Sequence, residues 1–226
     1  MADEELKSQG YIRIGDVSPD FTSDSTNGEL NWHKYIDGKW GILFSHPADF
    51  TPVCTSEIGT VAKLKAEWAK RDTVVAVVSV DDVASHHKWI KEINDITGSD
   101  VDFPIFGDET KKIAMAYGML DATHLNAAGL PLTVRSVFIV DPDKKIKLII
   151  TYPASTGRNF DEIIRVLDSL QATRNKKLAT PANWNVGDDY YILPSVSEAD
   201  ATANFPDFKV ASAGCKIRTT SGKGPQ

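Results

Sequence analysis

The apolar positions of residues 40–172 follow two different periods. Trp40–Ser45 and Thr73–Val80 are short, nearly continuous apolar runs, which are typical of strands buried on both faces of a parallel sheet. Between them, Pro52–Arg71 repeats apolar residues at helical spacing on one face, and Val83–Ile96 does the same. This part of the chain therefore predicts alternating strands and helices.

The alternation continues toward residue 172. We predict a strand over Asp102–Gly107, a helix over Thr110–Tyr117, strands over Ser136–Asp141 and Ile146–Tyr152, and a helix over Phe160–Gln171. The last two strands are joined by Asp-Pro-Asp-Lys, a strong turn signal. The order predicts an α/β fold, a mixed sheet with helices on both faces, and is compatible with a thioredoxin-like layer.

The character of the sequence changes after residue 174. Prolines, glycines and small polar residues become frequent, and no long periodic helix is evident. We therefore predict an α/β domain over residues 1–174 and a loosely structured extension over 175–226. The extension looks too irregular to form a core by itself, and we expect it to pack on its own domain or on a partner subunit.

Composition and charge narrow the classes of function. The chain has 226 residues and a net charge of −6, which argues against a general nucleic-acid or anionic-membrane surface. Its longest apolar runs are too short to span a bilayer. The acidic N-terminal segment resembles neither a secretory signal nor a mitochondrial presequence. We expect a cytoplasmic protein, or a mitochondrial-matrix protein if a presequence was removed.

The number and spacing of cysteines and histidines argue against a disulfide scaffold and a metal site. Cys54 and Cys215 are the two cysteines, too sparse for a disulfide scaffold or a zinc cluster, and a reducing compartment is the natural expectation. His86, His87 and His124 are expected to be exposed residues without ligands at metal spacing. No metal or cofactor is therefore predicted.

Cys54 follows a strand, a proline-containing loop and a helix start. Thr51 is a good N-cap residue, and Pro52 suits the first helical position. Cys54 then falls in the first turn, where free N–H groups and the helix dipole favour a thiolate. From position alone two interpretations stay open: a reactive nucleophile, or a small apolar residue filling space under a helix.

Three segments carry a resemblance to a known family. Pro47, Thr51 and Cys54 reproduce the Pro-x-x-x-Thr-x-x-Cys motif of the peroxiredoxins, the alkyl hydroperoxide reductase and thiol-specific antioxidant family. The surrounding string resembles the one-cysteine, peroxiredoxin 6-like branch. The similarity continues through Pro131–Ser136 and Tyr152–Asn159 and covers roughly residues 11 to 210. It implies a peroxidase that reduces hydrogen peroxide and organic hydroperoxides.

The resemblance assigns roles to the motif residues. Cys54 would attack the terminal oxygen of the peroxide and become a sulfenic acid. Thr51 would hold and orient the peroxide, and Pro47 would shield the sulfur from water. Arg135 would stabilise the thiolate and the charge on the departing oxygen.

Three further residues match family positions. Glu57 and Arg158 match the pair that orients the active-site arginine through paired charges. His46 matches a residue near the sulfur in this branch. Each also has a plainer interpretation: a carboxylate that complements the helix dipole, a solvated surface arginine, and a packing histidine.

The one-cysteine assignment depends on the segment Ala179–Trp184. Two-cysteine members carry a resolving cysteine there, and Thr180 occupies its place. The sulfenic acid must therefore be reduced by an external donor, for which glutathione, thioredoxin and ascorbate stay open. Cys215 matches no resolving position, although a non-standard resolving role is the minority hypothesis.

The resemblance also suggests a homodimer, formed through sheet edges and swapped C-terminal extensions. An alternative function uses the same cysteine in a redox-switched chaperone or a peroxide-signalling partner. The preferred peroxide and the physiological reductant are not readable from the sequence.

Overall fold

The computed structural model describes residues 12–125, 129, 131–205, 207–212 and 217–221. Cys215 lies outside these residues. The chain forms two compact units, Met1–Phe160 and Asp161–Gln226. The helix that begins at Phe160 thus falls almost entirely in the second unit, and a boundary at residue 174 stays a prediction.

The first unit is built on a seven-stranded mixed sheet with the strand order β2-β1-β5-β4-β3-β8-β9. Its strands are β1 (Thr22–Ser25), β2 (Gly28–Asn31), β3 (Trp40–Ser45), β4 (Thr73–Ser79), β5 (Ile105–Gly107), β8 (Arg135–Val140) and β9 (Ile146–Tyr152). The pairs β3–β4 and β4–β5 are parallel, whereas β8 runs antiparallel to both β3 and β9. A separate two-stranded ribbon joins β6 (Leu120–Leu125) to β7 (Pro131–Thr133).

Helices connect these strands. They are α1 (Trp32–Tyr35), α2 (Pro52–Lys63), α3 (Lys65–Lys70), α4 (Val83–Thr97) and α5 (Lys112–Ala116). Together with the mixed sheet they confirm the predicted α/β class. Across the described ranges of both units, no helix has the length and apolar character needed to cross a membrane.

The core of the first unit lies on both faces of its sheet. Leu43, Val78 and Phe138 point to one face, where they pack with Trp32 of α1 and Ile113 of α5. Because side chains of a strand alternate between faces, the buried neighbours of these residues point to the opposite face. The central strands are therefore buried on both sides, which explains their continuous apolar runs.

The second unit has more structure than the sequence predicts. It contains α6 (Phe160–Thr173), α7 (Glu198–Asn204) and a four-stranded antiparallel sheet of order β10-β11-β13-β12. These strands are β10 (Leu178–Ala179), β11 (Tyr190–Ile192), β12 (Lys209–Ser212) and β13 (Ile217–Thr220). Ile192, Val196 and Ala201 form a small buried cluster of its own. The expectation of a loose extension without a core is wrong, because short strands leave little periodicity to read.

Two predicted elements differ in extent from the observed ones. The helix predicted over Pro52–Arg71 is interrupted at Leu64, because the indole N–H of Trp68 donates to the carbonyl oxygen of Val61 at 3.0 Å. That carbonyl would otherwise accept from the helical backbone. The strand predicted from Asp102 begins only at Ile105, after Pro104, which has no N–H to donate to a ladder.

Gly59 marks a close approach between α2 and α4. A Cβ on Gly59 would lie 2.6 Å from both Cγ2 and Oγ1 of Thr97. We therefore expect Gly59→Ala to lower the free energy of unfolding by about 1–3 kcal/mol, although alanine is the better helix former. Denaturant titration measures the change. In a Thr97→Gly background, which also removes the Thr97 Cβ at 2.8 Å, the cost should largely disappear, and an equal cost in both backgrounds would contradict the steric explanation.

Candidate active site

The site begins where β3 ends. The loop His46–Thr51 leads from β3 to Pro52, which occupies the start of α2, and Cys54 lies in the first turn with a fully buried, free thiol. Thr51 has the extended backbone of an N-cap residue, with φ −104° and ψ 146°. Its hydroxyl does not cap the helix as the sequence suggests but donates to the carbonyl oxygen of Ala48 at 3.0 Å.

Arg135 places a guanidinium group beside the sulfur. Because β8 runs antiparallel to β3, its first residue lies next to the end of β3, where the Cys54 loop starts. Nη1 of Arg135 lies 3.3 Å from Sγ of Cys54 and donates to Oε2 of Glu57 at 2.8 Å. Nε and Nη2 both donate to the carbonyl oxygen of Ala154, at 2.9 and 2.7 Å. The guanidinium group of Arg135 is thus held in place by its contacts with Cys54, Glu57 and Ala154.

Arg158 holds the same carboxylate from the other side. Its Nη2 donates to Oε2 of Glu57 at 2.7 Å, and its backbone N–H and Nε donate to Oε1 at 2.7 and 3.1 Å. Nη1 donates to the carbonyl oxygens of Ser45 and Ser136, on β3 and β8. Its guanidinium carbon also lies 5.1 Å from the ring centroid of Phe44. Arg158 therefore ties the Glu57 carboxylate to the adjacent ends of β3 and β8.

The charges of this triad favour an anion at the sulfur. Burial opposes ionisation of Glu57, but the charge and hydrogen bonds of Arg158, with the charge of Arg135, outweigh it and lower the pKa of Glu57. Burial lowers the pKa of Arg158, and Glu57 opposes that shift. One carboxylate thus faces two buried guanidinium groups. The positive charge that Glu57 leaves uncompensated lies beside Cys54, whose Sγ is 3.3 Å from Nη1 of Arg135.

A cleft of about 510 Å³ opens beside the triad. It is lined by Pro47, Thr51, Pro52, Val53, Asp121, His124, Arg135, Pro153, Ala154 and Ser155. The structure therefore brings Thr51, Pro47 and Arg135 to one cavity next to the buried thiol. Sequence reasoning missed Asp121 and His124, since β6 carries no pattern that points to a site.

His46 lies on the inner side of the loop. It is fully buried, its Nε2 lies 2.9 Å from Oδ1 of Asp49, and its ring lies 4.8 Å from that of Trp89. None of the hydrogen bonds found for His46 involves Cys54. Burial lowers the pKa of His46, against the opposing effect of Asp49. The structure places His46 beneath the site and joins it to Asp49.

His86 corrects the expectation of an exposed histidine. His87 is exposed and His124 is half-buried, but His86 is fully buried, and its Nδ1 lies 2.8 Å from Oδ2 of Asp49. Helix α4 turns this position inward, toward the loop before α2. The apolar pattern of this helix does not reveal the burial of His86, because a histidine on an amphipathic helix is equally compatible with either face.

Potential metal ligands also meet at this point. In the described ranges, ligand atoms of His46, Asp49 and Asp81 lie within 4.8 Å of one another. The carboxylate of Asp49 already accepts from His46, His86 and Ser85. These hydrogen bonds account for the cluster without an ion.

A buried thiol, an adjacent arginine and an open cleft at a helix N-terminus define a thiol-based oxidoreductase. Comparison with known proteins specifies the family. The AhpC/TSA family model matches residues 14–149. Peroxiredoxin-6 of Bos taurus is 47% identical over 201 residues, which cover 87% of this chain and 90% of that protein.

Two solved structures are similar over almost their whole length. A cysteine-to-serine mutant of the peroxiredoxin 6 of Arenicola marina has a TM-score of 0.90 at 45% identity, covering 93% of this chain and 98% of that one. A yeast mitochondrial 1-Cys peroxiredoxin, studied for its thiol resolving mechanism via glutathione/thioredoxin systems, has a TM-score of 0.86 at 46% identity, covering 93% and 99%.

The chain belongs to the AhpC/TSA family. It is a peroxiredoxin of the one-cysteine kind, a thiol-specific peroxidase, and the solved structures confirm the thioredoxin-like fold predicted from the sequence.

Glu57→Gln tests the triad. The variant leaves Arg135 and Arg158 buried without their shared counter-charge, and we expect the free energy of unfolding at neutral pH to fall by about 3–5 kcal/mol. Because folding lowers the pKa of Glu57, its contribution is complete above its ordinary value of 4.5 and is lost as the pH falls through the folded pKa. The difference from wild type should therefore shrink in denaturant titrations below that value.

Glu162→Gln is the matched control. Glu162 is 42% exposed and pairs with Arg165 on the surface, so its removal should cost less than about 1 kcal/mol. Equal losses in the two variants, or a Glu57→Gln difference that stays constant with falling pH, would contradict a buried ionic triad.

Proposed function

We propose that Cys54 is the peroxidatic nucleophile of this peroxidase. The observation that carries the proposal is the distance of 3.3 Å between Nη1 of Arg135 and Sγ of Cys54, within a buried cluster of net positive charge. Such an environment stabilises a thiolate, which is the nucleophilic form of cysteine. The cleft supplies a route for a hydroperoxide to the sulfur.

The reaction balances as a two-electron transfer. The sulfur of Cys54 attacks the terminal oxygen of the hydroperoxide, and the O–O bond breaks as the S–O bond forms. The other oxygen, which carries the organic group of a hydroperoxide or the second hydrogen of hydrogen peroxide, leaves with the electron pair and takes up a proton, which gives an alcohol or water. The cysteine is oxidised to a sulfenic acid and the peroxide is reduced.

Arg135 and Thr51 divide the positioning of the peroxide in this proposal. The guanidinium of Arg135 faces the charge that develops as the O–O bond breaks, and its bonds to Glu57 and Ala154 keep it fixed. Thr51 lines the same cleft, and because its hydroxyl hydrogen is donated to Ala48, its oxygen can accept a hydrogen bond from the peroxide. Pro47 lines the cleft with a side chain that offers no hydrogen bond to water.

Substitution at Cys54 and Arg135 separates chemistry from folding. Stopped-flow reaction with hydrogen peroxide should be abolished in Cys54→Ser, whereas Arg135→Lys should lower its rate by about 10²–10³-fold, the usual cost of a lost transition-state donor. Arg165→Lys, at a half-buried ion pair with Glu162 on α6, should react like wild type. Slow, equal reaction in all variants would contradict the proposal and favour a sensor or chaperone that reacts only once.

We propose that an external thiol completes the cycle. Thr180 stands where two-cysteine members carry the resolving cysteine, and its hydroxyl lies 2.7 Å from that of Ser169. The similar yeast 1-Cys peroxiredoxin is described with glutathione/thioredoxin systems, which makes these the first donors to consider.

Turnover with each donor tests this assignment. Glutathione or thioredoxin should sustain peroxide consumption by both wild type and Cys215→Ser, with no Cys54–Cys215 disulfide after one equivalent of peroxide. Non-reducing electrophoresis and mass spectrometry detect that link. Activity that disappears in Cys215→Ser would instead assign the resolving role to Cys215.

A homodimer is proposed as the assembled form. Strand β9 is the last strand of the seven-stranded sheet, and an outer edge of this kind can pair with a second copy. Sedimentation equilibrium should give twice the mass of the chain, and a monomer at all concentrations would contradict the proposal.

We propose the cytoplasm as the compartment of this protein, with the mitochondrial matrix as the alternative, and fractionation of the source cells decides between them.

A further inference from the structure

Asp49 is the centre of a buried hydrogen-bond cluster that the peroxidase chemistry does not use. Its Oδ1 lies 2.9 Å from Nε2 of His46, and its Oδ2 lies 2.8 Å from both Nδ1 of His86 and the hydroxyl of Ser85. Its backbone N–H donates to Oδ2 of Asp81 at 3.1 Å. These contacts join the loop before Cys54 to helix α4.

The carboxylate of Asp49 fixes the hydrogen on His86. Burial opposes ionisation, but hydrogen bonds from His46 and His86 outweigh it and hold the pKa of Asp49 well below its usual range. An ionised carboxylate only accepts hydrogen bonds, so Nδ1 of His86 carries the hydrogen that they share. Asp49 and His86 thus form a directional link in which the histidine is the donor.

On its other side, His86 lies against β5. Its Nε2 lies 3.3 Å from the carbonyl oxygen of Phe106, on β5, and the residue is fully buried. One turn later on α4, the ring of Trp89 packs against that of His46 at an interplanar angle of 36°, and its indole N–H donates to the hydroxyl of Thr55 at 3.1 Å. The same face of α4 therefore supports the loop at Asp49 and helix α2 at the residue after Cys54.

The loop needs this support because its backbone is strained. Phe50 has φ +56° and is 51% exposed, so a bulky residue occupies the left-handed region without burial of its ring to compensate. Asp49 immediately precedes Phe50, and Thr51, which lines the peroxide cleft, immediately follows it. Release of Asp49 would allow Phe50 to relax and would move Thr51.

We propose that His86 is a positioning residue of the peroxidase: its Nδ1–H bond to Asp49 holds the loop His46–Thr51, and with it Thr51 and Pro47, in the geometry that receives the peroxide. The inference depends on the proposed role of Cys54. It assigns a function to a helix residue that does not line the cleft.

Asparagine and glutamine at position 86 place the same amide nitrogen at different distances from the backbone, so the two substitutions test whether the Nδ1 donor of His86 is required. The side-chain nitrogen of asparagine can occupy the place of Nδ1, whereas that of glutamine reaches toward the place of Nε2. His86→Asn should therefore keep the stopped-flow rate with hydrogen peroxide within about threefold of wild type, and His86→Gln and His86→Leu should lose about 10- to 100-fold, as small misplacements of reacting groups do. Alkylation of Cys54 by iodoacetamide, which needs no peroxide pocket, should change little in all three.

Unfolding midpoints separate positioning from simple loss of stability. Peroxide rates that follow the midpoints, or that are equal for His86→Asn and His86→Gln, would overturn the proposal. If His86→Leu does not fold, the comparison of His86→Asn with His86→Gln carries the test, because both keep a side-chain amide and only asparagine places its nitrogen where Nδ1 lies.

Cys54→Ser keeps this test separate from the proposed function. Loss of peroxide reaction in Cys54→Ser together with wild-type rates in every His86 variant would remove the role of His86 alone. Retention of the reaction in Cys54→Ser would remove the role of Cys54 itself.

Discussion

The Glu57 carboxylate, held between two buried guanidinium groups, is the interaction on which the site depends. It neutralises part of their charge, fixes the direction of Arg135 toward the sulfur, and ties the first turns of α2 to the carbonyl oxygens of β3 and β8 through Arg158. Buried ions are costly unless every donor and acceptor is satisfied. The active site therefore cannot rearrange without leaving buried charges unpaired. Such rigidity favours transition-state stabilisation.

The sheet topology explains why distant residues meet. Cys54 follows the end of β3, and Arg135 begins β8, which is antiparallel to β3, so residues 81 positions apart share one end of the sheet. The loop between β3 and α2 then has two sides. Its outer side presents Thr51 and Pro47 to the cleft, and its inner side binds α4 through Asp49. The strained Phe50 lies between these two sides.

Much of the fold could be predicted, because strands that are buried on both faces of a sheet appear in the sequence as continuous apolar runs. The strand predicted over Trp40–Ser45 has the observed bounds, and α6 extends only two residues beyond the predicted helix. The second unit could not be predicted in this way, because strands of two to four residues carry no readable period. The break at Leu64 depends on a side-chain bond from Trp68, which no local propensity encodes.

Some residues of the site could be predicted from the sequence, and others could not. Capping and the first-turn position pointed to Cys54 from physical reasoning, whereas the contacts of Arg135 and Arg158 could be anticipated only through the family resemblance. His86 was missed because its partner, Asp49, lies 37 residues away and only the fold brings them together. Long-range polar contacts of this kind have no signature in a single sequence.

Trapping of the oxidised cysteine identifies the residue that reacts with peroxide. The reduced protein is treated with one equivalent of hydrogen peroxide in the presence of dimedone, and the modified residue is located by peptide mass spectrometry. We expect a stoichiometric sulfenic-acid adduct on Cys54 with Cys215 unmodified. An unmodified Cys54, or an adduct confined to Cys215, would contradict this expectation.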